Sequence, residues 1–200
     1  DGKLLATSQG HADRVDHAVW SPDGTRIITG SDDHTAKVWA TDGVLLATLQ
    51  GHSGAVNQAA WSPDGQFIYF GSGREKQGTA IYRVATSGAT PVAWLSQPYE
   101  HIGNLAPAPN GSVLAFNIVR DHWSRRGPNP YGGSDLWLVS NAPDATDYRK
   151  ISDYLGLNSW PMWAGDGQGL FFVSDRDGIE NIWFQPLDGP AEQITYFAEG

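Results

Sequence analysis

Short apolar runs separated by clusters of turn residues dominate the chain. The runs are four to seven residues long and rich in Val, Ile, Leu, Phe, Tyr and Trp, and Gly, Pro, Asp or Asn stand between them. Runs of this length bounded by turn residues predict β-strands. In the first 50 residues the pattern predicts strands at 15–20, 25–30, 36–40 and 44–49. No run has the 3.6-residue apolar period of an amphipathic helix, so we expect negligible helix content.

The chain also repeats itself. Residues 20–24, Trp-Ser-Pro-Asp-Gly, return at 61–65, and residues 1–11 return at 42–52 with nine of eleven positions identical, both after a shift of 41. Weaker copies of the turn stand at 107–111 and 163–167. Four antiparallel strands in roughly 40 residues are typical of a propeller blade. Such a sheet has two apolar faces and buries them only against neighbouring blades.

The repeats therefore predict an all-β fold, a β-propeller with four blades of four antiparallel strands plus one extra outer strand. We expect a single propeller domain over 1–200, with the outer strand at 1–9 and the blades at 10–51, 52–98, 99–153 and 154–200. Four blades is the lower end of the range that closes a ring. Either one chain closes on itself, or two copies join head to tail as a homodimer forming an eight-bladed ring. The surplus strand, which could pair with the next copy, favours association.

Composition narrows the possible functions. The chain has 13 Lys and Arg against 22 Asp and Glu, a formal charge of −9, and such a surface repels nucleic-acid phosphates and anionic lipid headgroups. We therefore expect no nucleic-acid partner and no membrane association, and no apolar run approaches the roughly 20 residues of a membrane span. With no cysteine there is no disulfide, thiolate zinc site or thiol nucleophile. The lack of cysteine fits a cytoplasmic protein, although the sequence itself names no compartment.

Residues 1 to about 65 resemble the WD-repeat family. The matching segments fall at that family's spacing: Gly-His at 10–11, Trp-Ser-Pro-Asp-Gly at 20–24, residues 28–35, and Lys-Val-Trp at 37–39. The resemblance implies a hydrogen-bonded network of a His before the first strand, a Ser or Thr on the second, an Asp in the next turn and a Trp on the third. Those positions hold His11, Thr29, Asp33 and Trp39, with Ser31 as the alternative hydroxyl. Such a network stabilises a blade and implies no catalysis.

The second repeat departs from the WD pattern. Alignment of residues 79–80 with 35–36 places Arg83 at the position of Trp39 and Gln77 at the position of Asp33. His52, the equivalent of His11, is therefore expected to lack the equivalent partners.

From about residue 70 to residue 200 the chain is similar to the propellers of tricorn-type proteases and of TolB. The similarity lies in motifs at 78–84, 132–138, 149–152, 159–163 and 171–183, and TolB-type propellers share Ser-Asp-Arg-Asp-Gly at 174–178 and Asn-Ile-Trp at 181–183. This change of blade type inside the second blade indicates a designed or recombined chimera, or a natural mixture cut to a fragment.

Catalytic motifs are missing from the sequence. It contains no Gly-x-Ser-x-Gly, no His-Glu-x-x-His, no Gly-rich phosphate loop and no histidines at metal-ligand spacing. We expect no enzyme activity, cofactor or metal, and interpret the chain as a non-enzymatic propeller scaffold that binds protein. The alternative is a propeller fragment of a tricorn-like serine peptidase that guides peptides to a catalytic domain absent from this sequence. The resemblance implies this arrangement, since that family's catalytic residues lie outside its propeller.

One segment stands apart from the blade pattern. It lengthens the third repeat and carries the candidate binding residues Arg120, His122, Trp123, Arg125, Arg126 and Tyr131. Arg, Trp and Tyr on a long loop are typical of recognition sites on rigid scaffolds. The alternative is a long hairpin that packs its two aromatic rings on the neighbouring blade.

Most tryptophans are predicted to belong to the core. Those at 20, 39, 61, 137, 163 and 183 fall on predicted inner strands. Large rings at such positions stack between neighbouring sheets, so we expect no ligand cage from them.

Overall fold

A computed structural model places sixteen strands in the described part of the chain. The described residues are 4, 6–52, 54–56, 58–72, 80–87, 90–96, 101–119, 133–142 and 145–197. The strands form four antiparallel sheets of four, and the strands of each sheet follow one another in chain order. No helix occurs within these ranges. The fold is a β-propeller of four blades, which confirms the predicted class.

Each sheet is built from one sequence repeat. Sheet 1 contains β1 (Val15–Trp20), β2 (Arg26–Ser31), β3 (Ala36–Ala40) and β4 (Leu45–Leu49). Sheet 2 contains β5 (Ala59–Trp61), β6 (Phe67–Ser72), β7 (Ala80–Ala85) and β8 (Val92–Ser96). Sheet 3 contains β9 (His101–Pro107), β10 (Val113–Val119), β11 (Ser134–Ser140) and β12 (Arg149–Lys150). Sheet 4 contains β13 (Asn158–Trp163), β14 (Gly169–Ser174), β15 (Asn181–Pro186) and β16 (Glu192–Gln193).

The extra outer strand is not seen in the described part of residues 1–9. Leu4 and residues 6–9 have no strand assignment. Their segment nevertheless runs beside sheet 1, because a Cβ on Gly43 would lie 3.2 Å from the Thr7 carbonyl oxygen. The segment therefore contacts the turn before β4 without pairing as a strand.

The repeated turn has one geometry in all four sheets. Its glycine has a positive φ in each, between 67° and 71°, at Gly24, Gly65, Gly111 and Gly167. The same glycine N–H donates to the carbonyl three residues earlier, over 2.8–2.9 Å. This left-handed conformation favours glycine, so the sequence repeat marks a backbone requirement.

The chain divides into two compact units, residues 1–98 with sheets 1 and 2, and residues 99–200 with sheets 3 and 4. The core of the first unit includes Ile28 and Val38 of sheet 1 together with Trp61 and Phe70 of sheet 2. The core of the second unit joins Ala115 and Leu138 of sheet 3 to Leu170 of sheet 4, with Trp163 packed against them. Each unit thus buries one face of one sheet against one face of the next.

An indole hydrogen bond links the two sheets of each unit. Trp61 Nε1 donates to the Val19 carbonyl over 3.2 Å in the first unit. Trp163 Nε1 donates to the Ala106 carbonyl over 2.8 Å in the second. Both tryptophans are the last residue of their sheet's first strand. The two units therefore repeat one sheet-to-sheet contact.

The prediction that Trp20 is a core residue is wrong. Trp39 and Trp61 are buried, but 57% of the Trp20 surface is exposed. Side chains alternate across a strand, so Trp20 points away from sheet 2 while its neighbour Val19 packs against the core of the first unit. Trp20 thus occupies the tryptophan position of the repeat on the uncovered face of sheet 1.

Candidate functional site

The four residues of the WD-type network lie together in sheet 1. His11 Nδ1 is 2.8 Å from Asp33 Oδ2, and His11 Nε2 is 2.7 Å from Thr29 Oγ1. The indole Nε1 of Trp39 donates to the same Thr29 hydroxyl over 2.8 Å. Thr29 lies on β2 and Trp39 on the neighbouring β3, so the strands hold two members while the loops hold the others. Thr29, rather than Ser31, is therefore the hydroxyl at the centre of the network.

The proton positions follow from donor and acceptor rules. An indole N–H only donates, so the Thr29 oxygen accepts from Trp39. Of the two acceptors near the Thr29 hydroxyl, His11 Nε2 at 2.7 Å is closer than the Lys37 carbonyl at 3.4 Å, so the Thr29 hydrogen points to His11. His11 then carries its proton on Nδ1 and donates it to Asp33. With this assignment every polar atom from Trp39 to Asp33 has a hydrogen-bond partner.

Asp33 is held in its ionised form. Burial by itself would raise the pKa of its carboxyl group, but hydrogen bonds outweigh that effect and hold the pKa well below its usual value. The donors are Thr35, whose hydroxyl lies 2.6 Å away, the Ala12 N–H at 2.9 Å, and His11. The charged form of Asp33 thus ties the loop before β1 to the turn after β2.

The network is closed to ligands. The side chains of His11 and Asp33 are 6% and 8% exposed. Gly10 approaches Trp39 so closely that a Cβ at that glycine would lie 3.3 Å from the indole ring. A buried, hydrogen-bonded group of this kind suits a structural role, which is the role that the resemblance implies.

In sheet 2 the histidine equivalent to His11 makes a ring contact. His52 is buried, and its ring meets Phe70 edge-on with centroids 4.7 Å apart. The strand register also corrects the sequence alignment. Ile27 pairs with Trp39, and the equivalent Ile68 pairs with Val84, so Val84 rather than Arg83 takes the place of Trp39. Gln77 lies outside the described residues.

The candidate binding loop is not described by the structure. Its residues Arg120, His122, Trp123, Arg125, Arg126 and Tyr131 all lie outside the described ranges. Their role in binding stays a prediction.

An apolar surface remains exposed on sheet 1. One cross-strand row on the side away from sheet 2 runs from Trp20 through Ile27 and Trp39 to Leu45, since each residue pairs with the next. Trp20 and Leu45 are exposed, whereas the N-terminal loop covers Trp39. We call Ala18, Trp20, Ile27 and Leu45 the first-sheet face.

A second apolar surface remains exposed on sheet 4. A cross-strand row on the side away from sheet 3 joins Met162, Phe171 and Phe184. Met162 is 63% exposed, Trp160 is 59% exposed, and Ile182 is also exposed. We call Trp160, Met162, Phe171, Ile182 and Phe184 the last-sheet face. Sequence reasoning missed both faces because the residues resemble core residues and only the position of their sheet leaves them uncovered.

Metal and membrane sites are not found in the described ranges. No three His, Cys, Asp or Glu side chains there converge as metal ligands. Among the same residues, no helix has the length and apolar character needed to cross a lipid bilayer.

Comparison with known proteins supports both resemblances. Residues 2–40 and 43–77 match the family described as WD domain, G-beta repeat. A solved chain from Agrobacterium tumefaciens described as TolB is similar, with a TM-score of 0.74 and 22% identity over 95% of this chain and 65% of that one. TolB from Acinetobacter baumannii is similar with a TM-score of 0.69 and 20% identity over 92% of this chain and 42% of that one. No curated protein matches the sequence.

The matches define a β-propeller whose first 77 residues are similar to WD repeats and whose fold is that of TolB propellers. The chain spans less than two thirds of the length of both TolB chains. At this level of identity the similarity to TolB concerns the fold alone. The resemblance to tricorn-type proteases stays a prediction. WD-repeat propellers generally mediate protein interactions and are generally not enzymes.

Proposed function

We propose that this chain is a non-enzymatic scaffold that binds protein through the exposed faces of its terminal sheets. The observation that carries the proposal is the pair of apolar faces on sheets 1 and 4, with Trp20, Trp160 and Met162 more than half exposed. Contiguous exposed apolar patches mark interaction sites on soluble proteins. Tryptophan in particular is enriched among the residues that dominate binding energy.

The first partner we propose is a second copy of the chain. One molecule carries both the first-sheet face and the last-sheet face. Two copies in a head-to-tail homodimer with an eight-bladed ring would cover each first-sheet face with the last-sheet face of the other copy. The formal charge of −9 opposes association at low salt, whereas the apolar faces favour it. Association should therefore strengthen as the salt concentration rises.

The proposed origin is a designed or recombined chimera. In support, the WD match ends at residue 77, while the TolB-like motifs begin near residue 70. His52, the equivalent of His11, contacts the Phe70 ring in the same blade. The cytoplasm stays the expected compartment.

Light scattering coupled to size-exclusion chromatography tests the proposal. The chain alone has a mass of 21.7 kDa, and a species of twice that mass that becomes a monomer in the Trp20→Lys variant is expected. The matched control is Val92→Lys, which places the same charge at an exposed apolar position of sheet 2. The scaffold proposal is contradicted if the chain stays a monomer at all concentrations and neither the first-sheet face nor the last-sheet face binds another protein.

The tricorn-like alternative makes a different prediction. A fragment that guides peptides should bind a mixture of unrelated peptides, and this binding should survive Trp20→Lys. A flat titration with mixed peptides would count against this alternative. Turnover of a peptide substrate, abolished by a serine-reactive inhibitor, would contradict the non-enzymatic assignment.

A further inference from the structure

We propose that the first-sheet face of one copy docks on the last-sheet face of the next in the register that joins sheets inside each unit, with Trp20 Nε1 donating to the Met162 carbonyl. This inference rests on the proposed self-association and adds the residues that form the seam. It follows from a contact that the chain already makes twice.

The donor is identified by its place in the repeat. Trp61 and Trp163 each end the first strand of their sheet and each donate an indole N–H to the preceding sheet. Trp20 ends the first strand of sheet 1 and stands 41 residues before Trp61 within an identical five-residue motif. It is the same donor on a sheet whose corresponding face is exposed.

The acceptor is identified in the same way. Val19 and Ala106, which accept the two indole hydrogen bonds, each precede the last residue of the first strand in their sheet. In sheet 4 that position belongs to Met162, which precedes Trp163. The Met162 side chain is exposed and points away from sheet 3, as the alternation along β13 requires.

The rows of side chains on both sides of the seam match those inside the first unit. There, a row on sheet 1 packs against a row on sheet 2, and the two consist of Val19, Ile28 and Val38, and of Trp61, Ile68 and Val84. At the seam the equivalent positions are Met162, Phe171 and Phe184 on sheet 4, and Trp20 and Ile27 on sheet 1, where the third position, Trp39, is covered by the N-terminal loop. These positions are apolar at the seam as they are inside the unit, and the next position on sheet 4, paired with Phe184, is Glu192.

The chemistry of the faces favours a second copy over an unrelated partner. Met162 is unbranched and adapts its shape to a neighbouring ring, and sulfur–aromatic contacts are favourable. A fully covered aromatic side chain buries roughly 150–250 Å², so Trp20, Trp160, Phe171 and Phe184, which are partly exposed, supply a part of the roughly 1,000 Å² of a specific interface. Donor and acceptor faces on one chain make the contact heterologous, which closes into a ring or continues into a chain of copies.

A second pair of residues provides the test. Inside the first unit, His17 of β1 lies within hydrogen-bond reach of the Ala59 backbone in sheet 2. By the same register, Ser159 takes the place of His17 and Ala18 takes the place of Ala59 at the seam, and the exposed Trp160 stands next to Ser159 in the β-bulge before Met162. The chain has no cysteine, so a single cysteine can be placed at Ala18 or at Trp160 without background.

The experiment uses the full-length variants Ala18→Cys and Trp160→Cys with a short bismaleimide cross-linker. Both variants keep Trp20 and Met162. We expect each variant alone to stay uncrosslinked and an equimolar mixture to give covalent dimers. Thr41→Cys, at an exposed turn of sheet 1, replaces Ala18→Cys in the control mixture and should give none.

The outcomes separate the seam from the wider proposal. Covalent dimers formed by Ala18→Cys alone would show that like faces pair, which overturns the head-to-tail seam. A dimer mass by light scattering without cross-linking in the mixture overturns the register while self-association stands. A monomer mass overturns both.

A conservative variant tests the hydrogen bond itself. Trp20→Phe keeps an aromatic ring on the face and removes the indole donor. The dissociation constant should rise about three- to tenfold, the usual effect of one neutral hydrogen bond. An unchanged dissociation constant would show that the Met162 carbonyl does not accept a hydrogen bond from Trp20.

Discussion

At the scale of single residues, Thr29 is the member of the buried network that satisfies two neighbours at once. Its oxygen accepts from Trp39 and its hydrogen points to His11. Removing it leaves a buried indole N–H and a buried imidazole nitrogen without this partner. A buried donor or acceptor that is left without a partner costs more free energy than a typical hydrogen bond contributes to stability.

We therefore predict that Thr29→Val destabilises the fold by about 1–3 kcal/mol, since it replaces the hydroxyl by a methyl group of similar size. Urea unfolding followed by tryptophan fluorescence measures the change. Thr41→Val, at an exposed turn position, is the control and should change the stability little. Equal effects from the two variants would contradict the central role of Thr29.

Sequence alone could identify these network residues because their spacing is set by one blade. It could not separate Trp20 from Trp61, which stand in identical motifs. Burial of an indole depends on the sheet that faces it, and that information lies outside the motif. The proton position on His11 likewise required the distances to Thr29 and Asp33.

At the scale of elements, the repeated turn places its glycine in a left-handed conformation. A Cβ at Gly24 would meet no atom within 4 Å, so only the backbone conformation, with a φ of 68°, resists substitution. Gly165 also has open space but does not have a positive φ. The two glycines therefore separate backbone strain from steric clash.

Gly24→Ala should lower the free energy of unfolding by about 1–2 kcal/mol, the cost of a left-handed residue with a Cβ. Gly165→Ala should be neutral or stabilising by up to about 1 kcal/mol, because alanine restricts the unfolded chain. Chemical denaturation of both variants measures the difference. A loss of stability in Gly165→Ala as large as that in Gly24→Ala would refute the strain argument.

The contact between sheets 1 and 2 should also respond to pH. Burial lowers the pKa of His17 below its usual value of 6.5, although a hydrogen bond with the Ala59 backbone acts in the opposite direction. Below pH 6.5 the unfolded chain then binds a proton that the folded chain resists, so this group makes stability fall as the pH falls. The decline begins near the unfolded pKa and continues down to the folded one.

His17→Gln should weaken the decline in stability between pH 7.5 and pH 5.5, measured by urea unfolding at each pH. His34→Asn is the matched control, because His34 is exposed and has a φ of 64°, which asparagine tolerates. The control should keep the wild-type pH dependence. If His17→Gln also keeps the wild-type pH dependence of stability, protonation of His17 does not cause that dependence.

The strands of sheet 1 were predictable to within one residue, because apolar runs and turn residues alternate clearly there. The alignment in sheet 2 failed by one residue, since turns of different length hide the register from the sequence. Only the pairing of Ile68 with Val84 shows which residue replaces Trp39. Pairing is a property of two strands and does not follow from the pattern of either one.

At the scale of the whole molecule, the four sheets follow from the four repeats, whereas the exposed faces do not. A sequence repeat predicts that every sheet has two apolar sides, and it predicts nothing about which sides are covered. The first-sheet face and the last-sheet face are exposed on sheets 1 and 4. The proposed self-association predicts that the stability of the fold depends on protein concentration.

The melting temperature should therefore rise with protein concentration. A partner that binds only the folded state stabilises it by mass action, by about 2.7 kcal/mol at a hundredfold excess over the dissociation constant. In a domain of about 150–250 residues each kcal/mol corresponds to about 2–4 °C. Differential scanning calorimetry over a wide concentration range measures the shift. Trp20→Lys should remove the dependence while Val92→Lys keeps it, and a concentration-independent melting temperature in the unmodified chain would mean that the terminal faces do not bind each other.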